Sequence, residues 1–309
     1  MPNYLSIKSS SKIDLGLKES PLKKINNFEN LFVKVDAENS EINSFGGSKL
    51  RKAEYLLGSL QKDYKINEIT SFGAFGSFHL KNLAYWCKTL GIKFHSKTWK
   101  QPWHIQEARN FVYTKKYSTS IRWMPSFLSL LYQGKIWKKS ASHAIVPVGG
   151  DKISGALSFY YALLELNDQI DLTNSKIYIA AGTCSAVSGL LLGASKLNKN
   201  TQIIASNIVS KYIPVVSRIL KIAEESNLVY DLDIKLNPEL IRCEFSGDSN
   251  KIIDYGTVQS DYNSLNKIAQ SNGFKIDPTY TGKTFKLALD EYQNNSTQDG
   301  PYIFWNTRS

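Results

Sequence analysis

The run from Glu68 to Trp99, EITSFGAFGSFHLKNLAYWCKTLGIKFHSKTW, decides the class of fold. EITSFG reads as a strand, Ser77 to Leu90 as a helix, and IKFHSKTW as a second strand. Downstream, His104 to Lys116 reads as a helix and SIRWM as a strand. The alternation then continues. AIVPVGG at Ala144 to Gly150 is a strand, Gly155 to Leu166 a helix, KIYIAAG at Lys176 to Gly182 a strand, and a helix begins near Ala186. TQIIASNIV and Val215 to Asn227 add another strand and helix. Upstream, LFVKVDA at Leu31 to Ala37 is a strand, and Lys49 to Lys62 carries Leu50, Ala53, Leu56, Leu57 and Leu60 on one helical face, with Ser48 as N-cap. Strand and helix in alternation indicate an α/β protein with parallel sheets and helical crossovers. In such sheets ligands bind outside the carboxyl ends of the strands, so the Gly-containing junctions are the places to search.

The bulk composition sets the outer bounds. A chain of 309 residues with 42% apolar and 12% aromatic residues and 9 prolines can bury a real core and is unlike a disordered one. Neither a signal-peptide core nor an apolar run of membrane-spanning length occurs, so a cytoplasmic, soluble protein is expected. Cys87, Cys184 and Cys243 are far apart and form no CxxC pair, and His79, His95, His104 and His143 have no paired helical spacing. Neither a disulfide framework nor a metal site is expected. The net charge of +11 is concentrated: Lys93 to Lys139 holds ten Lys or Arg against the single acid Glu107, together with Trp99, Trp103, Trp123 and Trp137. A basic, aromatic stretch could grip a nucleic-acid strand, but a solvated basic face over core tryptophans is the simpler reading, so no nucleic-acid partner is expected.

Three junctions could carry chemistry. In Gly46-Gly47-Ser48-Lys49-Leu50-Arg51-Lys52, a lysine at a helix start feels the positive end of the helix dipole and the charges of Arg51 and Lys52, both of which favour a free amine. A free amine is what condensation with a carbonyl requires, though the same residues would also make a wet basic face. In Ala181 to Gly189, AGTCSAVSG, small residues between a strand and a helix let backbone N–H groups reach a phosphate; a plain tight turn would use the same residues. The sequence there is neither a Walker loop nor GxGxxG, so a nucleotide is not implied. Asp277 to Lys283, DPTYTGK, lies between a strand-like segment and the last helix, as a site or as a proline turn.

Five stretches in order, GGSKLRKAEYLL, SFGAFGSFH, PVGGDKISGAL, AGTCSAVSG and DPTYTGK, resemble the 1-aminocyclopropane-1-carboxylate deaminase and D-cysteine desulfhydrase family. The resemblance runs from about Phe45 to Thr307. It implies the tryptophan-synthase β-like fold, fold type II of the enzymes that use pyridoxal 5′-phosphate (PLP): two open, twisted, mostly parallel sheets flanked by helices. It also implies a discontinuous large cofactor-binding domain, residues 1–50 and 144–309, and a small domain, residues 51–143.

By the same resemblance Lys49 is similar to the lysine that bonds the cofactor covalently and handles the substrate α-proton. Gly182, Thr183, Cys184, Ser185 and Ala186 would hold the cofactor phosphate, and Ser77 the region of the substrate carboxylate. Tyr255 in DYGT and Tyr280 in DPTYTGK resemble the family's two active-site tyrosines, Tyr255 being as readily a core tyrosine. The deaminase branch carries glutamate and leucine where this chain has Thr281 and Thr307, near the pyridine nitrogen; threonine at both is similar to the desulfhydrase branch. A hydroxyl makes a weaker electron sink than a carboxylate does, enough for β-elimination but less suited to opening a cyclopropane ring. The implied activity is α-proton abstraction and β-elimination from a small, D-cysteine-like amino acid, giving a 2-oxo acid and ammonia, by a homodimer. The alternatives are 1-aminocyclopropane-1-carboxylate deamination and a catalytically degenerate paralogue. Phe78 stands where the family has an asparagine contacting the cofactor's phenolic oxygen, and Arg308 and Ser309 stand where it has glycines.

Overall fold

The computed structural model describes residues 3–4, 11–42, 44–101, 105–125, 136–247, 258, 260–294 and 299–308. Twelve strands and eight α-helices alternate along these residues. The chain divides into two compact units, one of residues 1–17 and 49–155, the other of residues 18–48 and 156–309. The chain passes between units three times, after Leu17 in an irregular stretch, at the start of the first helix and early in the fourth.

In the first unit, β4 (Glu68–Ala74), β5 (Lys93–Trp99), β6 (Ser120–Trp123) and β8 (His143–Val146) are parallel, with β7 (Trp137–Lys138) and β1 (Asn3–Tyr4) added antiparallel at one edge. The order is β1-β7-β8-β4-β5-β6. α1 (Ser48–Gly58) continues into a π turn, Ser59–Asp63. α2 (Phe78–Thr89) follows β4, and α3 (Ile105–Tyr117) follows β5. The β4 to α2 turn is tight because Gly76 adopts φ +71°, and a Cβ there would lie 2.4 Å from the Glu107 backbone. Ser77 caps α2, its Oγ accepting from Leu80 N at 3.3 Å.

In the second unit, the parallel strands β11 (Ile241–Phe245), β10 (Gln202–Asn207), β9 (Lys176–Ala181), β12 (Tyr302–Asn306) and β3 (Leu31–Val35) lie in that order, and antiparallel β2 (Leu22–Lys24) closes the edge. Every residue of β12 is buried, and β9 is nearly so. Near-continuous apolar strands of this kind mark a sheet covered on both faces. α4 (Lys152–Gln169), α5 (Ser185–Leu197), α6 (Val215–Val229), α7 (Tyr262–Ser271) and α8 (Thr281–Asn294) complete the order. α5 is buried throughout its first ten residues; it approaches α4 so closely that a Cβ on Gly189 would meet Ala156 O at 2.1 Å. Phe274, Phe285 and Phe304 join α8 to the sheet, with Phe285 and Phe304 ring centroids 5.1 Å apart.

Two buried polar links hold the second unit. Trp305 donates its indole N–H to Asp36 Oδ2 at 3.0 Å. Lys34, fully buried, gives its three ammonium hydrogens to Ser20 O, Glu165 Oε1 and Gln169 Oε1, each at 2.7 Å. The strand-like segment expected before Asp277 is irregular: Phe274 and Ile276 are buried in the core but enter no strand pairing. Apolar character there reflects packing beneath α8. No helix among the described residues is long and apolar enough to cross a membrane.

Candidate active site

Lys49 stands at the first turn of α1, and the residues before it are pinned within the second unit. Gly47 N donates to Asp36 O at 2.9 Å and to Asn39 Oδ1 at 2.8 Å, and Ser48 N donates to Thr307 O at 3.0 Å. The lysine expected to react thus follows, by one peptide bond, a residue fastened to the segment just beyond β12. Arg51 and Lys52 are buried, while Lys49 is half-buried, so the expectation of a wet basic face does not describe this turn.

Behind Lys49, within the first unit, lies a small cavity of ≈ 10 Å³ walled by Lys49, Lys52, His79, Asn82, Leu56 and Leu83 among others. His79 is buried, and burial holds its basicity well below the usual histidine range, the Lys49 and then the Lys52 charges adding to the effect. In the sequence His79 figures among the unpaired histidines and in a matching stretch, and Asn82 carries no role. Both are polar residues three apart on a helix face that is otherwise apolar, and that was the available signal.

Ser77 is half-buried at the head of α2. The neighbouring Phe78 carries Lys81 Nζ 4.5 Å from its ring centroid, and Lys81 is itself 3% exposed. A buried cation on an aromatic face therefore stands near the position where the family has an amide.

In the second unit, the β9 to α5 junction fits an anion. A Cβ on Gly182 would meet nothing within 4 Å, so there is open space beside that backbone. Cys184, the N-cap of α5, has φ +70° and makes no side-chain cap. The Cys184 side chain thus does not cap this thirteen-residue helix, whose first ten residues are buried, and a helix N-terminus favours an anion. Ser185 and Ala186 are buried, and Thr183 is half-buried.

At the head of α8, the Asp277 carboxylate organises DPTYTGK. Its Oδ1 accepts from Thr279 N, Thr279 Oγ1 and Tyr280 N at 3.0, 2.9 and 2.7 Å. Its Oδ2 accepts from Thr281 N and Thr281 Oγ1 at 3.0 and 2.7 Å. Burial pushes the Asp277 carboxyl upward, but the Arg308 charge and these hydrogen bonds outweigh it and hold the group below its ordinary range. Arg308 also lies over the Tyr280 ring, 5.2 Å from the centroid. Arg308, read at first only as a departure from the family, is part of this corner. Beside Thr307, Asn306 is fully buried with its Oδ1 unpartnered among the described residues. Tyr255 lies outside the described residues, as do Trp103, His104 and the side chain of Trp137.

In the second unit, the β9 to α5 junction, with open space beside Gly182 and no side-chain cap from Cys184, suits an anionic group. The fold is that of the tryptophan-synthase β-like enzymes, fold type II among those that use PLP. The structure superposes on that of an ACC deaminase homologue with a TM-score of 0.77 and 21% identity, covering 98% of this chain and 93% of that one. The resemblance read from the five stretches extends along most of the chain. A Thermotoga maritima protein named as a candidate 1-aminocyclopropane-1-carboxylate deaminase is 25% identical over 303 residues, 92% of each chain. The D-cysteine desulfhydrase of Klebsiella pneumoniae is 24% identical over 280 residues, 85% of this chain and 82% of that protein. No family model matches the chain.

Proposed function

We propose that this chain is a PLP-dependent lyase or deaminase that removes the α-proton of a small amino acid and expels a substituent from Cβ. The observation that carries the reading is the α5 start, where Gly182, Thr183, Cys184, Ser185 and Ala186 form a small-residue strand-to-helix turn with open space beside Gly182 and no side-chain cap from Cys184. Lys49 is the covalent anchor and the base. Its amine is primary and sits at a helix N-terminus beside Lys52, both of which favour the neutral form that attacks a carbonyl and accepts a proton at Cα. When bound, PLP supplies the electron sink that acidifies that hydrogen.

In this reading Ser77 serves the region of the substrate carboxylate and Tyr280 helps to shape the substrate pocket; Tyr255, outside the described residues, is assigned to that pocket by the family resemblance alone. Thr281 and Thr307 bear on the pyridine nitrogen. The Thr281 hydroxyl gives its hydrogen to Asp277 Oδ2, which supports a ring nitrogen met by no strong acid at that position. A weak sink suits a substrate with a good leaving group, and a D-cysteine-like amino acid is the expected one. Thiolate leaves, the enamine hydrolyses, and a 2-oxo acid and ammonia result. The large domain of residues 1–50 and 144–309, the small domain of residues 51–143 and a homodimer belong to this reading.

The test is spectroscopic. The purified chain with PLP should absorb at the edge of the visible, lose that band in Lys49→Ala, and shift it on addition of D-cysteine with release of pyruvate and sulfide. A colourless wild-type protein would sink the proposal. A second reading, a chain that holds the cofactor without turnover, has the Phe78–Lys81 pair in its favour. Release of any 2-oxo acid across a panel of D- and L-amino acids, 1-aminocyclopropane-1-carboxylate included, rules it out.

A further inference from the structure

The cavity behind Lys49 contains a hydrogen-bonding problem that the chain does not solve by itself. Asn82 is 1% exposed; its Nδ2 donates to Phe78 O at 3.0 Å, while its Oδ1 has no partner among the described residues. His79 presents a second acceptor on the same cavity. Ser71 Oγ donates its one hydrogen to Val146 O at 3.1 Å and lies 2.9 Å from His79 Nε2. With its hydrogen committed, Ser71 Oγ can only accept there, so Nε2 carries the proton and Nδ1 is a bare lone pair. His79 Nδ1 has no hydrogen-bond partner among the described residues, and it lies 4.0 Å from where a Cβ on Gly150 would stand, on the cavity wall.

Asn82, with its buried unpartnered acceptor, and His79 thus both line a space of ≈ 10 Å³ that two lysines also line. Leaving the Asn82 acceptor unmade costs about 1–3 kcal/mol. A water needs about 10–15 Å³ and two to four polar partners, and this cavity supplies both. Lys49 and Lys52 both line the cavity, and Lys49 is the one whose amine the proposed function uses, which makes it the donor of interest for a third bond.

We propose that one ordered water occupies this cavity, donating its hydrogens to Asn82 Oδ1 and His79 Nδ1 and accepting from the Lys49 amine, so that Asn82 and His79 are positioning residues for Lys49. The water solvates the ammonium form of Lys49 at a place where Lys52 and the helix dipole oppose it. It therefore sets how readily the amine becomes free. The water site stands independently of the cofactor; its bearing on reaction rests on the reading of Lys49 as the reactive amine.

Three measurements on the full chain test this, none requiring turnover. A crystal structure of the wild type should show a water within about 3.2 Å of both Asn82 Oδ1 and His79 Nδ1; no water there, or one touching neither atom, overturns the proposal. A long-range proton–nitrogen spectrum with labelled histidine should find His79 as the Nε2–H tautomer; the Nδ1–H tautomer overturns it. Finally, after dialysis against hydroxylamine, reductive methylation with formaldehyde is followed at Lys49 by peptide mass spectrometry, with exposed Lys65 as reference. In Asn82→Leu the ammonium loses its solvating water, so the midpoint of labelling falls in pH and Lys49 labels several-fold faster near neutrality. An unchanged midpoint in a folded variant overturns the link to Lys49. Failure of the wild type to bind PLP would count against the proposed function and leave these results as they stand.

Discussion

Asp277 and Thr281 grip each other at three points: the Thr281 N–H and hydroxyl both donate to Asp277 Oδ2, and Asp277 N donates back to Thr281 Oγ1 at 2.8 Å. The carboxylate accepts five hydrogen bonds in all. In Asp277→Asn the amide nitrogen cannot accept, so the variant should lose about 2–3 kcal/mol in urea denaturation. It should also lose cofactor-linked absorbance, because Tyr280 and Thr281 are placed by this network. Full stability in the variant would show that the network is dispensable.

The acid side of the stability profile follows from two histidines. Burial, with Lys49 and Lys52, holds His79 low. Burial also holds His143 low, opposed by Glu68 and aided by Lys139, His95 and Lys97. Below about pH 6.5 the unfolded chain binds protons at these rings that the folded chain refuses, so the unfolded state carries more protons and stability falls with falling pH. The slope approaches about 1.4 kcal/mol per pH unit for each fully excluded proton. Urea midpoints at pH 7.5 and 5.5 should differ, and differ less in His79→Gln; equal midpoints in the wild type would contradict the argument.

Two glycines with nearly the same backbone angle should answer differently to alanine. Gly76 has φ +71° and the Glu107 backbone within 2.4 Å of a Cβ, whereas Gly91 has φ +70° and nothing within 4 Å. Gly91→Ala should cost about 1–2 kcal/mol for conformation alone. Gly76→Ala adds a backbone collision and should cost about 3 kcal/mol or more, read by thermal unfolding.

Lys34→Met strips the half-buried Glu165 carboxylate of its buried cation. Glu165 remains with Ser20 as its partner in that corner, and the variant should be destabilised by about 3 kcal/mol. Adding Glu165→Leu should restore part of the loss, since removing both charges leaves no uncompensated one. A double variant weaker than the single would refute the pairing argument.

Phe78→Asn returns an amide to the position where the family uses one. Cofactor retention in dialysis should improve by about tenfold, the worth of one good hydrogen bond. No change would indicate that Lys81, over the Phe78 ring, already serves the same oxygen.

Much of the fold was legible because β4, α2, β5, β9 and α5 each carry their own period and turn residues. β12 was not: YIFWN is five residues with no local partner, and only its two neighbours in the sheet, β9 and β3, make it a strand. β1 and β7, two residues each, exist only through pairing. Of the candidate site, the positions of Lys49 and the Gly182–Ala186 loop at helix starts could be read from spacing. The double hold of Asp277 on Thr281 could not, because it depends on rotamers set by α8. Nor could the acceptor state of His79, which follows from where Ser71 sends its hydrogen.

The link between Asp36 and Trp305 spans 269 residues. At about 5–20 residues per second, translation takes roughly 13 to 54 seconds to cover that distance. For that interval β3, destined to flank β12, has one edge open in the nascent chain, and β9, made later, waits less than half as long. This sheet therefore closes from its middle and late, leaving an unpaired edge exposed until the last strand is made.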